Sequence, residues 1–131
     1  MSESFWGEIP EAASVSTPYS ILVEQGKMLE SATNNRLGCF ALKTMAGSKF
    51  LVDFYIRAPS LNDYKYNLFR IVYDVTLYPL SIIKDGNYLM DLATEQDFKD
   101  YLRTLLSSDT TMKVVQALLA QIRDDVELPP F

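Results

Sequence analysis

A length of 131 residues suits one domain with a real core, and 48% hydrophobic with 22% charged residues is ordinary for a globular chain rather than a disordered one. A formal charge of −5, with no run of lysine or arginine, argues against non-specific binding to phosphate backbones. Histidine is absent and Cys39 is the lone cysteine, which removes His-based acid–base pairs, Cys-His nucleophiles, clustered zinc ligands and any intramolecular disulfide.

The opening residues predict an irregular arm over 1–16, with Glu3, Glu8 and Glu11 among small residues. They hold neither the basic n-region nor the apolar stretch of a secretory signal. Together with the single thiol, this gives a cytoplasmic location as the expectation. The arm also carries Phe5 and Trp6, the chain's one tryptophan, so it is expected to dock on its own domain or on a neighbour. A helix follows. Thr17 fits its N-cap and Pro18 its first turn, where a missing N–H costs nothing. Ile21, Leu22, Gln25, Met28, Leu29 and Ala32 keep a helical period, and Asn34 with Asn35 ends it. Gly26 in mid-helix costs about 1 kcal/mol against alanine, which suggests either the close approach of another backbone or a tolerated weak point.

Five strands are predicted next. They span residues 36–44, Lys49–Ala58, 64–75, 77–84 and 88–92, with turns at 45–48 and Asp85-Gly86. In the second, Phe50, Val52, Phe54 and Ile56 alternate with Leu51, Asp53, Tyr55 and Arg57. Pro79 pushes the fourth towards an edge or an irregularity. The stretch 71–83 is the least polar, but Asp74 and Pro79 interrupt it and it is too short to span a bilayer. Thr94 with Asp97 resembles a capping box for a helix carrying Phe98, Tyr101, Leu102 and Leu105. A last helix starts at Ser108 or Asp109 and carries Met112, Val115, Leu118, Leu119 and Ile122. Residues 124–131 read as a loose acidic tail. The fold class is therefore α+β, a two-layer sandwich of a mainly antiparallel five-stranded sheet in the order α-β-β-β-β-β-α-α, within one domain over 1–131.

Chemistry is sparse. Asp85 and Asp91 around Gly86 lack calcium-loop spacing, and a plain hairpin explains them better. The glycines match no phosphate-binding pattern. Cys39 lies in an apolar strand with no base to deprotonate it. No cofactor and no metal site is expected. Asp53, Asp63 and Asp74 could serve a carboxylate mechanism, but strand-surface aspartates are usually just solvated. The remaining constellation is aromatic and basic: Tyr55 and Arg57 on the second strand, and Tyr64, Tyr66 and Arg70 in one parity of the third. Tyrosine and arginine are enriched at protein interfaces. Tyrosine also has high strand propensity, which competes with that reading. The third strand's other parity, Phe69, Ile71, Tyr73 and Val75, is apolar too, so the strand is expected to be central or covered on both faces.

These observations favour a non-enzymatic interaction or assembly module, with self-association as a homodimer or a protein partner, and no nucleic-acid or membrane partner. An immunity- or antitoxin-type inhibitor is the alternative, with Asp53, Asp63, Asp74 and the acidic tail steering it onto a basic enzyme. A small-molecule binder, or a carboxylate enzyme with its site between sheet and helices, is the second alternative.

Overall fold

A computed structural model describes residues 2–127. It contains α1 (Pro18–Ala32), β1 (Gly38–Ala46), β2 (Lys49–Ala58), β3 (Tyr64–Tyr73), β4 (Leu80–Lys84), β5 (Asn87–Leu92), α2 (Glu95–Leu106) and α3 (Asp109–Glu127). The strands form one sheet in the order β1-β2-β3-β4-β5, each neighbouring pair antiparallel. This is the expected α+β arrangement. Among the described residues, no helix is long and apolar enough to cross a membrane.

Local chemistry explains the boundaries. At the start of α1, Thr17 and Ser20 form a reciprocal capping box, each side-chain oxygen accepting the other's backbone N–H at 3.0 Å. At its end Asn34 and Asn35 take left-handed φ of 53° and 64°, and the Asn35 N–H donates to the Glu30 carbonyl at 2.8 Å. Thr33, buried at the C-cap, donates through Oγ1 to the Leu29 carbonyl at 2.9 Å and accepts from the Leu37 N–H at 3.0 Å. That one hydroxyl fastens the helix end to the approach of β1. Asp85 and Gly86 both have positive φ, as a two-residue type I′ hairpin requires, between the paired residues Lys84 and Asn87.

One face of the sheet makes the core. Val52, Phe54, Ile56, Phe69, Ile71 and Ile82 are buried on it, beneath Leu22 of α1, Phe98 and Leu102 of α2, and Leu118 and Ile122 of α3. The Phe54 and Phe69 rings pack at 5.6 Å between centroids, and Tyr101 meets Phe69 edge-on at 5.7 Å. Helix α1 lies against β1 so closely that a Cβ on Gly26 would stand 2.8 Å from the Cys39 carbonyl oxygen. The mid-helix glycine thus marks a backbone approach rather than a tolerated weak point.

Several boundaries differ from expectation. Strand β1 starts at Gly38 and runs through Ala46, leaving only Gly47-Ser48 as the turn. Strand β3 ends at Tyr73, and β4 begins at Leu80 because Pro79 has no N–H to give the ladder. Helix α3 continues through Glu127, so residues 124–127 are helical rather than part of a loose tail. The remainder of that tail, 128–131, lies outside the described residues. The arm is irregular as expected, apart from a single 3-10 turn at Ala12–Ser14, but residues 2–16 are exposed and it does not dock on its own domain.

Candidate functional site

The face of the sheet opposite the helices is open. Strand register shows which side chains occupy it. Tight pairing of β1 with β2 sets Leu42 opposite Asp53 and Phe40 opposite Tyr55, while β2 with β3 sets Leu51 opposite Val72 and Asp53 opposite Arg70. Arg70 in turn faces Ile83 on β4. Paired residues share a face, so Phe40, Leu42, Leu51, Tyr55, Val72 and Ile83 form an apolar patch around one ion pair. Phe40 and Leu42 are exposed, and Leu51, Tyr55, Val72 and Ile83 are half-buried.

The ion pair is bidentate. Arg70 Nε donates to Asp53 Oδ1 at 2.8 Å and Nη2 to Oδ2 at 3.0 Å. The hydrogen bond to Asp53 raises the Arg70 guanidinium above its ordinary value, against the opposing effect of desolvation. Tyr55 packs on Phe40 at 5.5 Å and lies under the Lys65 ammonium at 5.9 Å. Arg57 is held by Asp63 at the end of the β2–β3 loop, and Lys65 stands 3.9 Å from the same carboxylate.

The five sequence-predicted residues do not form one surface. Tyr55, Arg57 and Arg70 share the open face. Tyr64 and Tyr66 do not, because the register shifts between Phe54 and Tyr55. Phe54 faces Phe69, but Tyr55 faces Asn67, so Leu68 is an extra residue in β3. Beyond that bulge the parity of β3 inverts. Tyr66 then pairs with Ile56 and Tyr64 with Ala58, on the helix side. There they line a cleft of about 370 Å³ with Leu61, Val114, Leu118 and Gln121. The consecutive burial of Leu68 and Phe69 is the mark of the bulge in the side chains.

Val72 lies in the parity of β3 already set beside Arg70, but sequence reasoning missed Phe40, Leu42 and Ile83 as members of this face. The signal for two of them is present, since a two-residue turn at Gly47-Ser48 fixes Leu42 opposite Asp53. Among the described residues none supplies the expected second cover for β3, because the arm stands clear and the helices pack on the other side.

The carboxylates do not converge. Asp53 is held by Arg70, Asp63 by Arg57, and Asp74 by the Thr76 N–H at 3.0 Å with Lys49 at 3.8 Å. Thr76 hydrogen bonds hold the Asp74 carboxyl below the usual range. Burial pushes the Cys39 thiol up to about 12, which leaves it protonated at neutral pH. No protein-family model, no curated protein and no solved structure matches this chain.

Proposed function

We propose that this protein is a non-enzymatic interaction module that associates with a second copy of itself through the open face of its sheet. The observation that carries the reading is the apolar patch of Phe40, Leu42, Leu51, Tyr55, Val72 and Ile83 on a face that none of the described residues covers. The open face as a whole, with the patch at its centre, has the size a dimer needs. A strand spacing of about 4.8 Å and a rise of about 3.3 Å per residue give a footprint roughly 20 Å by 30 Å. With side-chain relief that approaches the ~800 Å² each partner contributes to a standard interface.

Charge favours a second copy as the occupant. The chain carries −5, yet Asp53, Asp63 and Asp91 on this face are balanced by Arg57, Lys65 and Arg70. Two such faces therefore meet without the repulsion the whole chain implies. A two-fold axis beside the Asp53–Arg70 pair would set each guanidinium against the other copy's carboxylate, the self-complementary arrangement of a symmetric dimer. The acidic-inhibitor reading draws less support, since Asp53, Asp63 and Asp74 are each engaged by a cation of the same chain. A cytoplasmic setting is consistent with the lone protonated thiol.

The test is sedimentation equilibrium on the full chain and three variants. Leu42→Glu and Tyr55→Ala should each raise the dissociation constant at least about tenfold, and Tyr66→Ala, on the other face, should leave it unchanged. A chain that stays monomeric at every accessible concentration would sink the reading. So would open-face variants that associate like the parent.

A further inference from the structure

The helix side of the molecule carries a second unfilled feature, a groove of about 550 Å³ between α1, α2 and the start of α3. Its floor is apolar, made by Ile21, Met28, Leu102, Leu106 and Met112. Met28 and Met112 remain 52% and 47% exposed there. Methionine is an adaptable lining for an incoming side chain. The rim carries Glu24, Lys99 and Arg103, an excess of one positive charge in a chain of net −5. Among the described residues the two cations pair with neighbours on their own helix, Lys99 with Glu95 at 3.1 Å and Arg103 with Asp100 at 2.8 Å. Exposed pairs of that kind are worth ~0–1 kcal/mol and exchange readily.

The N-terminal arm has the complementary chemistry. Residues 2–16 hold Glu3, Glu8 and Glu11 and no basic side chain. In the single chain Phe5 is 91% exposed, Trp6 83% and Ile9 69%. Anchored aromatic residues bury about 150–250 Å² each, and aromatic anchors of this kind dominate association energies.

We propose that this groove receives the N-terminal arm of a second copy of the chain, with Phe5 and Trp6 as its anchors and the arm's glutamates facing Lys99 and Arg103. With its 3-10 turn at Ala12–Ser14 drawn out, the arm's greatest reach is of the order of the spacing between the helix layers in the dimer proposed above. From Trp6 to Ser16 the chain extends up to about 33 Å. Layers about 10 Å apart put the helix layers of two sheet-to-sheet copies roughly 30 Å from each other. The inference rests on self-association, but it has its own readout.

Trp6 is the chain's one tryptophan, so its emission reports the arm alone. The experiment follows emission and acrylamide quenching of the full chain against its own concentration. In dilute solution Trp6 should emit as a solvated indole. With rising concentration its emission should shift to the blue and its quenching fall. Met28→Glu and Met112→Glu, checked for native circular dichroism, should each move that midpoint at least about tenfold higher. A shift already complete where sedimentation finds only monomer puts the arm in its own groove and overturns the proposal. Solvated emission throughout, or a midpoint indifferent to both groove variants, overturns it as well. If Leu42→Glu leaves the dissociation constant unchanged while the groove variants still move the Trp6 midpoint, arm exchange stands and the open-face dimer falls.

Discussion

Replacing Gly26 with alanine tests the α1–β1 packing directly. In a helix interior the change should stabilise, since alanine is favoured over glycine by about 1 kcal/mol. Here the new Cβ would lie 2.8 Å from the Cys39 carbonyl oxygen, 3.0 Å from the Cys39 Cβ and 3.3 Å from its carbonyl carbon. Comfortable carbon contacts lie near 3.5–4.0 Å, so α1 must retreat by roughly 0.5–1 Å, which forfeits a quarter to a half of each contact it makes. The obstacle is backbone on a paired strand and cannot rotate away. Overpacking of this kind costs about 1–3 kcal/mol, and the upper end applies, so the net loss is about 2 kcal/mol after the helix gain. Urea denaturation followed by far-ultraviolet circular dichroism measures it. Ser31→Ala, at an exposed position of the same helix, is the control and should stay within about 0.5 kcal/mol of the parent. A Gly26→Ala chain as stable as the parent, or more so, would refute the close approach.

Two further outcomes follow from the same contacts. Thr33→Val removes the hydroxyl that joins Leu29 and Leu37, leaves the buried Leu37 N–H unpaired and should cost about 1–3 kcal/mol in the same denaturation assay; a loss under about 0.5 kcal/mol contradicts the fastening role. Cys39 in the folded chain should resist an aromatic disulfide reagent at pH 8 and react rapidly in urea, and equal rates would contradict its burial. Its folded pKa, pushed up to about 12, exceeds the ordinary 9.0, so the thiol's contribution to stability is complete below pH 9 and is lost as pH rises towards 12. Relative to Cys39→Ala, the parent should lose stability faster across that window.

Much of the architecture was legible because local signals agreed with one another. The Thr17-Pro18 start, the Asp85-Gly86 turn and the alternation of Lys49–Ala58 each have a mechanism that acts within a few residues. The bulge does not. Nothing in the alternation of Tyr64, Tyr66, Leu68 and Arg70 announces that Tyr66 and Arg70 end on opposite sides. The length of the strand over 64–75 allows for a bend or a bulge without placing it, and the adjacent apolar pair Leu68 and Phe69, after polar Asn67, is the hint of where it falls. The tail was misjudged because its acidic residues and prolines read as the mark of a loose segment, whereas acidic residues at a helix C-terminus impose only a modest local penalty against the macrodipole. Packing of Leu118 and Ile122 on the core outweighs that local penalty, and the helix runs on. The open face was visible only in part, since the members on β1 and β4 depend on register.

The order of the strands in the sheet is also their order in the chain. Each strand finds its partner in the segment made just before or just after it, so loop closure removes little chain entropy at any step. Topologies built from such near-neighbour pairings search a small space and assemble at the rapid end of the range for β-containing domains. The distant join is that of α3 across the finished sheet, since α1 packs on β1, the strand that directly follows it. A nascent chain could thus zip its sheet strand by strand and cap it last, keeping its sticky inner face uncovered only until α2 and α3 arrive.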